Sequence, residues 1–192
     1  MSRLSQIRQE IIADKTNSWA HKKGYEPLYT ASETAKLVII GQAPGREAQE
    51  SMIPWNDKSG IILRDWLGVS DEQFYDDSIV SLLPMDFYFP GKGKTGDLKP
   101  RKDFAPMWHE KILNEMPEVG LIILVGNYSQ KYYLKKEYKS NLTETVKCYE
   151  QYLPKYFPIV HSSPLNFRWQ KRNPWFVESV VPKLRITISE LL

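Results

Sequence analysis

Cysteine is nearly absent from this chain. Cys148 is the only one among 192 residues, so the chain can form no internal disulfide, no cysteine zinc site and no four-cysteine iron–sulfur cluster. The sequence also lacks a run of the roughly 18 apolar residues that a membrane-spanning helix needs, and its N-terminus is charged and amphipathic. These features predict a cytoplasmic protein with no membrane partner.

Neither sign of charge dominates. The 26 lysines and arginines exceed the 23 aspartates and glutamates by only three, and this weakly basic balance is compatible with a polyanionic partner without identifying one. The chain has the length of one ordinary domain, and no repeat or linker composition divides it. We therefore expect a single domain over residues 1–192 and a monomer.

Four short apolar segments have the length and the β-branched content of buried strands. They are residues 36–40, 78–83, 120–125 and 157–160. Segments of helical periodicity lie between them, and near the C-terminus Pro182 is expected to kink or restart a helix. The alternation predicts an α/β fold with three layers, α/β/α, around a central four-stranded parallel sheet.

Two loops of small residues follow apolar runs. GQAPG, at residues 41–45, follows LVII, and HSSPLN, at residues 161–166, follows FPIV. Ligands of α/β proteins bind at the carboxyl ends of strands, and glycine lets a ligand approach the backbone closely. We expect a pocket at this edge, although a turn of the composition of GQAPG also arises for purely conformational reasons.

The second loop suggests a device that enters DNA. Pro164 stiffens the turn after His161, and Leu165 is an apolar side chain presented just beyond it. An apolar wedge can fill the gap that an extruded nucleotide leaves in a base stack, while a histidine can hydrogen-bond the extruded base. The alternative is that His161 is a satisfied buried histidine and Leu165 anchors its own loop.

Three motifs, in this order along the chain, resemble those of the uracil-DNA glycosylase superfamily. GQAPG is similar to the family's first motif, which reads GEAPG in the iron–sulfur branch and begins GQD in another; IPWNDKSG, at residues 53–60, resembles P-F-x-G-x-A-G, and HSSPLN resembles H-P-S-P-L. These landmarks span roughly residues 36–176. The resemblance implies a monofunctional glycosylase that flips uracil, or a related deaminated base, out of DNA and hydrolyses its N-glycosidic bond in base excision repair.

The resemblance also implies roles for individual residues. Trp55 stands where the family has the aromatic residue that stacks on the flipped base. Gly41 and Ala43, in the GQAPG loop, are the other residues that the resemblance implies for binding the base. His161 stands where the family stabilises the negative charge that develops on the uracil oxygen. Leu165 matches the wedge, and Ser163 and Pro164 share its DNA-binding loop. DNA is the implied partner, and no metal or other cofactor is implied.

The chain departs from the family at the residues that activate water. Ala43 takes the place of the Asp of the GQD branch, and Gln42 replaces the Glu of GEAPG. Gln42 cannot act as a carboxylate base, but it could orient a water molecule through its amide. Ser162 replaces the usual proline after the histidine, which is expected to loosen the loop.

Further roles stay open. The superfamily often recognises uracil with an asparagine near the end of the second strand; that region has none here, so Ser81, Asp86 or the backbone would take the role. Asp57 and Asp86 are the carboxylates nearest the inferred pocket, and either could replace the lost base. Both residue types are also common as solvated or capping groups in loops.

Two basic segments are candidates for contacts with DNA phosphates. Arg168 and Arg172 follow the wedge. Residues 91–102 form a glycine-containing loop with the cations Lys92, Lys94, Lys99, Arg101 and Lys102; a solvated loop without a partner is the competing interpretation. The GKT within this loop is not a nucleotide-binding P-loop, because Tyr88 occupies the position of the required first glycine.

Two other functions fit the same residues. A catalytically silent DNA-binding module would keep the pocket and need no base, as the missing carboxylate at residues 42 and 43 suggests. A hydrolase of free nucleosides or nucleobases would use the pocket on metabolites, and Leu165 would then be unnecessary.

Overall fold

The computed structural model describes residues 2–192. Its centre is a parallel sheet whose strand order is β2-β1-β5-β6. The strands are β1 (Leu37–Ile40), β2 (Val80–Leu82), β3 (Lys92–Gly93), β4 (Gly96–Asp97), β5 (Leu121–Val125) and β6 (Tyr156–Ile159). All four predicted strands are confirmed, with ends that differ by one or two residues. The additional strands β3 and β4 form a separate antiparallel hairpin within the basic 91–102 segment.

Helices cover both faces of the sheet. They are α1 (Arg3–Ala13), α2 (Ser18–His21), α3 (Arg46–Ser51), α4 (Lys58–Leu67), α5 (Asp71–Tyr75), α6 (Phe104–Leu113), α7 (Asn127–Leu134), α8 (Leu142–Lys147), α9 (Phe167–Arg172) and α10 (Val181–Leu191). The predicted three-layer α/β/α architecture is therefore confirmed. None of the helices within residues 2–192 is long and apolar enough to cross a bilayer.

Alternate residues of β1 enter two different cores. Val38 and Ile40 pack in the cluster that contains buried residues of α1 and α6, whereas Leu37 and Ile39 pack in the cluster that contains those of α4 and α10. Successive side chains of a strand point to opposite faces. Because both faces are covered, all four positions of β1 must be apolar, which explains the continuous LVII run.

The C-terminal helix changes its hydrogen-bonding register just before Pro182. A π-helical turn over Phe176–Val180 leads directly into α10, and Pro182 lies in the first turn of that helix. Proline fits there because the first helical N–H groups have no partner within the helix. The restart predicted from Pro182 is thus confirmed.

Candidate active site

A cavity of about 420 Å³ opens at the carboxyl edge of the sheet. The 41–45 loop, which follows β1, and the loop after β6 border it together, as expected from the sequence. Volumes of this order accommodate a small organic ligand. Residues that line the cavity include Gly41, Gln42, Ala43, Pro44, Gly45, Trp55, Asp57, Leu82, Pro84, Lys92, Asp97, His161, Ser163, Leu165 and Asn166.

Backbone hydrogen bonds fix the 41–45 loop against the segment that follows β2. The carbonyl oxygen of Gly41 accepts from the N–H of Met85 at 3.0 Å, and that of Gln42 accepts from the N–H of Asp86 at 3.1 Å. The side-chain amide of Gln42 lines the cavity and forms no hydrogen bond with any of residues 2–192. It therefore has free donors and a free acceptor for a ligand or a water molecule.

Two glycines determine where Trp55 lies. A Cβ atom on Gly41 would lie 2.7 Å from Cζ2 of the indole, and one on Gly60 would overlap the carbonyl oxygen of Trp55. Trp55 itself has a left-handed backbone, with φ of 56°, which is uncommon for an aromatic residue. The backbone at residues 41 and 60 thus leaves the space into which the Trp55 segment folds.

Trp55 and His161 meet at this cavity. Their ring centroids are 5.9 Å apart and their planes are inclined by 36°. Both rings line the same cavity, so one planar ligand can contact the face of the indole and a nitrogen of the imidazole. The sequence resemblance predicted that these two residues share one site, and the coordinates bring them together.

The backbone assigns the tautomer of His161. Its Nδ1 accepts the N–H of Ser163 at 3.1 Å, so the proton of the neutral ring is on Nε2. Burial lowers the pKa of His161, and the negative charge of Asp57 opposes part of that effect. At neutral pH the ring is uncharged, and its Nε2–H, which has no acceptor among residues 2–192, is available to a ligand.

Hydrogen bonds restrain the loop after His161. The Nδ2 of Asn166 donates to the carbonyl oxygen of His161 at 2.7 Å, and the Ser163 hydroxyl accepts from the N–H of Leu165 at 3.2 Å. Ser162, in the family's proline position, is fully buried, and its hydroxyl has no partner within the described chain. The loosening expected from this serine is therefore countered by the Asn166 and Ser163 bonds.

The wedge candidate projects into solvent. Leu165 lies in a single 3₁₀ turn, Pro164–Asn166, with Pro164 at its start. The Leu165 side chain is 91% exposed, so it does not anchor its own loop. The interpretation of Leu165 as a packing residue is therefore wrong, and the position fits an apolar contact with something outside the chain.

Ser81 does not reach the cavity. Its hydroxyl accepts from the N–H of Ser32 at 3.2 Å and lies 3.5 Å from the carbonyl oxygen of Asp77, to which it donates. Neighbouring strand residues face opposite sides, and Leu82, the next residue, is the one that lines the cavity. The prediction that Ser81 binds the base is not supported by its position.

Asp86 and Arg101 form a salt bridge with each other. Asp86 is fully buried and accepts from Nε and Nη2 of Arg101 at 2.7 and 2.8 Å. Its carboxylate also accepts the backbone N–H groups of Tyr88 and Arg101. With its oxygens occupied, Asp86 is not the replacement base. Arg101 is likewise unavailable to a phosphate, so both interpretations are corrected.

The other predicted phosphate contacts are exposed. Lys92 lines the cavity with its Nζ 2.7 Å from Oδ1 of Asp97, and Lys94 lies in the turn of the β3–β4 hairpin. Arg168 and Arg172 are exposed on α9, directly after the wedge loop. These side chains, like those of Lys99 and Lys102, are accessible from solvent, and their contact with DNA stays a prediction.

Asp97 is a charged residue that lines the cavity and that the sequence pattern does not predict. It ends β4, a strand of two residues, which is too short to produce a periodic pattern. The available signal is the GKGKTGD segment, whose glycines permit a tight hairpin.

Within residues 2–192, no group of three or more His, Cys, Asp and Glu side chains is arranged to hold a metal ion.

Comparison with known protein families agrees with the motifs. A family model described as the uracil DNA glycosylase superfamily matches residues 28–185. The matched region contains the whole parallel sheet, both cavity loops and the β3–β4 hairpin. It also extends beyond the landmarks at residues 36–176 on which the resemblance was based.

Proposed function

Since this chain belongs to the uracil-DNA glycosylase superfamily, a family of DNA glycosylase function, we propose that it excises uracil or a related deaminated base from DNA. The observation that carries this proposal is the shared cavity of Trp55 and His161, whose ring centroids are 5.9 Å apart. An indole face provides a surface for stacking. The Nε2–H beside it provides a donor for a carbonyl oxygen of the stacked base.

The chemistry requires a base that leaves with the electron pair of the glycosidic bond. As the bond between the sugar C1′ and the base nitrogen breaks, negative charge develops on the base and positive charge on the sugar. The neutral His161 ring would donate its Nε2–H to the base oxygen, and this hydrogen bond strengthens as the charge grows. A water molecule near Gln42 would then attack C1′ and lose a proton to give the abasic product.

The remaining exposed residues fit a DNA substrate. Leu165 would occupy the gap that the flipped nucleotide leaves in the stack. Arg168, Arg172, Lys92 and Lys94 would contact phosphates, which position the DNA without reading its sequence. A hydrolase of free nucleosides has no use for a 91% exposed leucine at the cavity mouth, so we favour the DNA substrate.

An excision assay tests the proposal. Oligonucleotides that carry uracil, hypoxanthine or a thymine mismatch, single-stranded and duplex, would be incubated with the protein and then cleaved in alkali. We expect a strand break at one or more of these bases. His161→Ala should lower the single-turnover rate by roughly 10²- to 10³-fold while changing DNA affinity only a few-fold, because its contact forms mainly in the transition state.

The matched control is His21→Ala, since the His21 side chain is exposed and bonds to the carbonyl oxygen of Ile12. It should retain the wild-type rate. Equal losses of rate and affinity in His161→Ala would contradict its role.

A catalytically silent DNA-binding module is the second candidate, because Gln42 and Ala43 offer no carboxylate. It would bind uracil or abasic DNA and leave every tested base in place after prolonged incubation beside an active control glycosylase.

A further inference from the structure

Two carboxylates border the space in front of Gly45. A Cβ atom on Gly45 would lie 3.8 Å from Oδ2 of Asp57 and 3.9 Å from Oδ2 of Asp97. Within the described chain, no other atom outside the adjoining residues comes within 4 Å of that point. Gly45, Asp57 and Asp97 all line the cavity, so this space belongs to the site that holds Trp55 and His161.

Each carboxylate is held by one oxygen and leaves the other free. Oδ1 of Asp57 caps α4 by accepting the N–H of Gly60 at 2.9 Å. Oδ1 of Asp97 pairs with Nζ of Lys92 at 2.7 Å. Neither Oδ2 has a hydrogen-bond donor among residues 2–192. The two free oxygens therefore remain acceptors, each held in place by a contact to the other oxygen of its own group.

The two carboxylates lie next to the 41–45 loop, which lacks the carboxylate that would activate water. That loop carries Gln42 and Ala43 where a carboxylate would activate water, and Gly45 ends the same loop. Asp57 lies at the start of α4 and Asp97 in the β3–β4 hairpin, so two different elements place a carboxylate beside the loop. Asp57 and His161 also line the same cavity, and the Asp57 charge opposes the lowering of the His161 pKa by burial.

We propose that Asp57 and Asp97 together bind and deprotonate the attacking water in front of Gly45. This inference rests on the proposed glycosylase function. As the C1′–N bond breaks, its electron pair leaves with the base; the water oxygen bonds to C1′, and the water proton passes to an Oδ2 oxygen. The two negative charges also stabilise the positive charge on the sugar. The carboxylate then releases its proton to solvent.

Substitution by asparagine removes the charge with little change in shape. Asn is a good N-cap residue, so Asp57→Asn keeps the start of α4. We expect Asp57→Asn and Asp97→Asn each to lower the single-turnover rate at least about tenfold, and the double variant by about 10²- to 10⁴-fold, the usual contribution of a general base. DNA affinity should change less than about threefold, since the water is not part of the DNA contact.

Gly45→Ala tests the space without touching a charge. Gly45 has φ of −73° and ψ of 170°, which alanine adopts readily, and the added methyl group makes only ordinary contacts with both carboxylates. The methyl group would narrow the space in which the two carboxylates hold the water. We expect this variant to fold and bind DNA normally and to lose most of its turnover.

Asp103→Asn is the matched control. Asp103 is exposed at the start of α6 and makes no capping hydrogen bond, so the same chemical change there should leave the rate unchanged. Added azide, an anion that attacks without losing a proton, should restore part of the rate in Asp97→Asn but not in His161→Ala. A residue that served only folding would show no such rescue.

The outcomes separate the two proposals. If the wild type excises a nucleobase and both asparagine variants retain its rate, the carboxylate pair is not the general base. The inference then fails and the proposed function stands. A Gly45→Ala variant with wild-type turnover would also overturn the inference. If the wild type excises none of the tested bases while a control enzyme does, the proposed function fails and the inference falls with it.

Discussion

The indole of Trp55 lies directly against the backbone of Gly41, with no room for a side chain between them. A Cβ atom on Gly41 would be 2.7 Å from Cζ2 and 3.2 Å from Cη2 of the ring, and the first of these distances is shorter than real Cβ contacts. Gly41 follows β1, whereas Trp55 precedes α4. This contact therefore sets the position of the aromatic wall of the cavity relative to the sheet.

We predict that Gly41→Ala displaces the indole and lowers base excision. The added methyl group should destabilise the fold by about 1 to 3 kcal/mol, as other overpacking substitutions do, and should reduce kcat/KM because the stacking surface moves. Trp55→Phe removes the outer, benzo part of the indole, which carries the Cζ2 and Cη2 atoms that the methyl group would meet. In a double-mutant cycle, the combined variant should be more stable than the sum of the single changes predicts. Strictly additive urea-unfolding free energies would contradict the contact.

Leu165→Ala should impair action on duplex DNA more than on single strands. Only a duplex has a stack to refill after the base is flipped, and the 91% exposure of the side chain means that its removal should change the free energy of unfolding by less than about 0.5 kcal/mol. The ratio of single-turnover rates on duplex and single-stranded uracil substrates checks this expectation. Ile61→Ala is the control, because Ile61 is 62% exposed on α4 and does not line the cavity. A uniform loss on both substrates would show that Leu165 is not a wedge.

The parallel sheet and both cavity loops could be predicted because their signals are local. A strand buried on both faces requires a continuous apolar run such as LVII, and a loop after it that contains glycine or proline marks the edge where ligands bind. The order of GQAPG, IPWNDKSG and HSSPLN added a family resemblance, which the match over residues 28–185 confirms.

The side of the sheet and the partners of polar residues could not be predicted in the same way. Ser81 and Leu82 are neighbours, yet only Leu82 lines the cavity, because successive strand residues face opposite sides. The sequence does not show which of the two sides faces the cavity, since it does not give the register of the strand. The sequence places Asp86 near the pocket but does not show that Arg101, fifteen residues later, binds its carboxylate. Asp97 could not be predicted because a strand of two residues leaves no periodic pattern in the sequence.

The Asp86 and Arg101 pair leads to a prediction about stability. Asp86→Asn leaves the guanidinium of Arg101 without its buried counter-charge, and removal of one partner of such a pair costs about 3 to 5 kcal/mol. We expect a large fall in the urea midpoint. In the fraction that remains folded, excision per molecule should stay within a few-fold of wild type, because Asp86 is not the base. Asp71→Asn removes a carboxylate that is 76% exposed in its pair with Arg64, and this change should cost less than about 1 kcal/mol. Similar losses in both variants would contradict this assignment.

His109 makes stability depend on pH. It is buried between the hydroxyl of Tyr133 and the carbonyl oxygen of Pro84, and burial lowers its pKa from 6.5 to about 4. Between these two values the unfolded chain binds a proton at this residue and the folded chain does not. Acid therefore favours the unfolded state, and the stabilising effect, complete above the unfolded pKa, is lost as pH falls towards 4.

We expect this histidine alone to remove about 2 kcal/mol of the free energy of unfolding between about pH 7.5 and about pH 5, from the proton linkage of one group. Urea unfolding across that range measures the slope. His109→Gln keeps a donor and an acceptor but cannot titrate, so its slope should be shallower even if the variant is less stable at every pH. His161, whose pKa burial also lowers, should leave a residual slope of the same sign. A His109→Gln slope equal to that of the wild type would show that His109 already binds its proton in the folded protein.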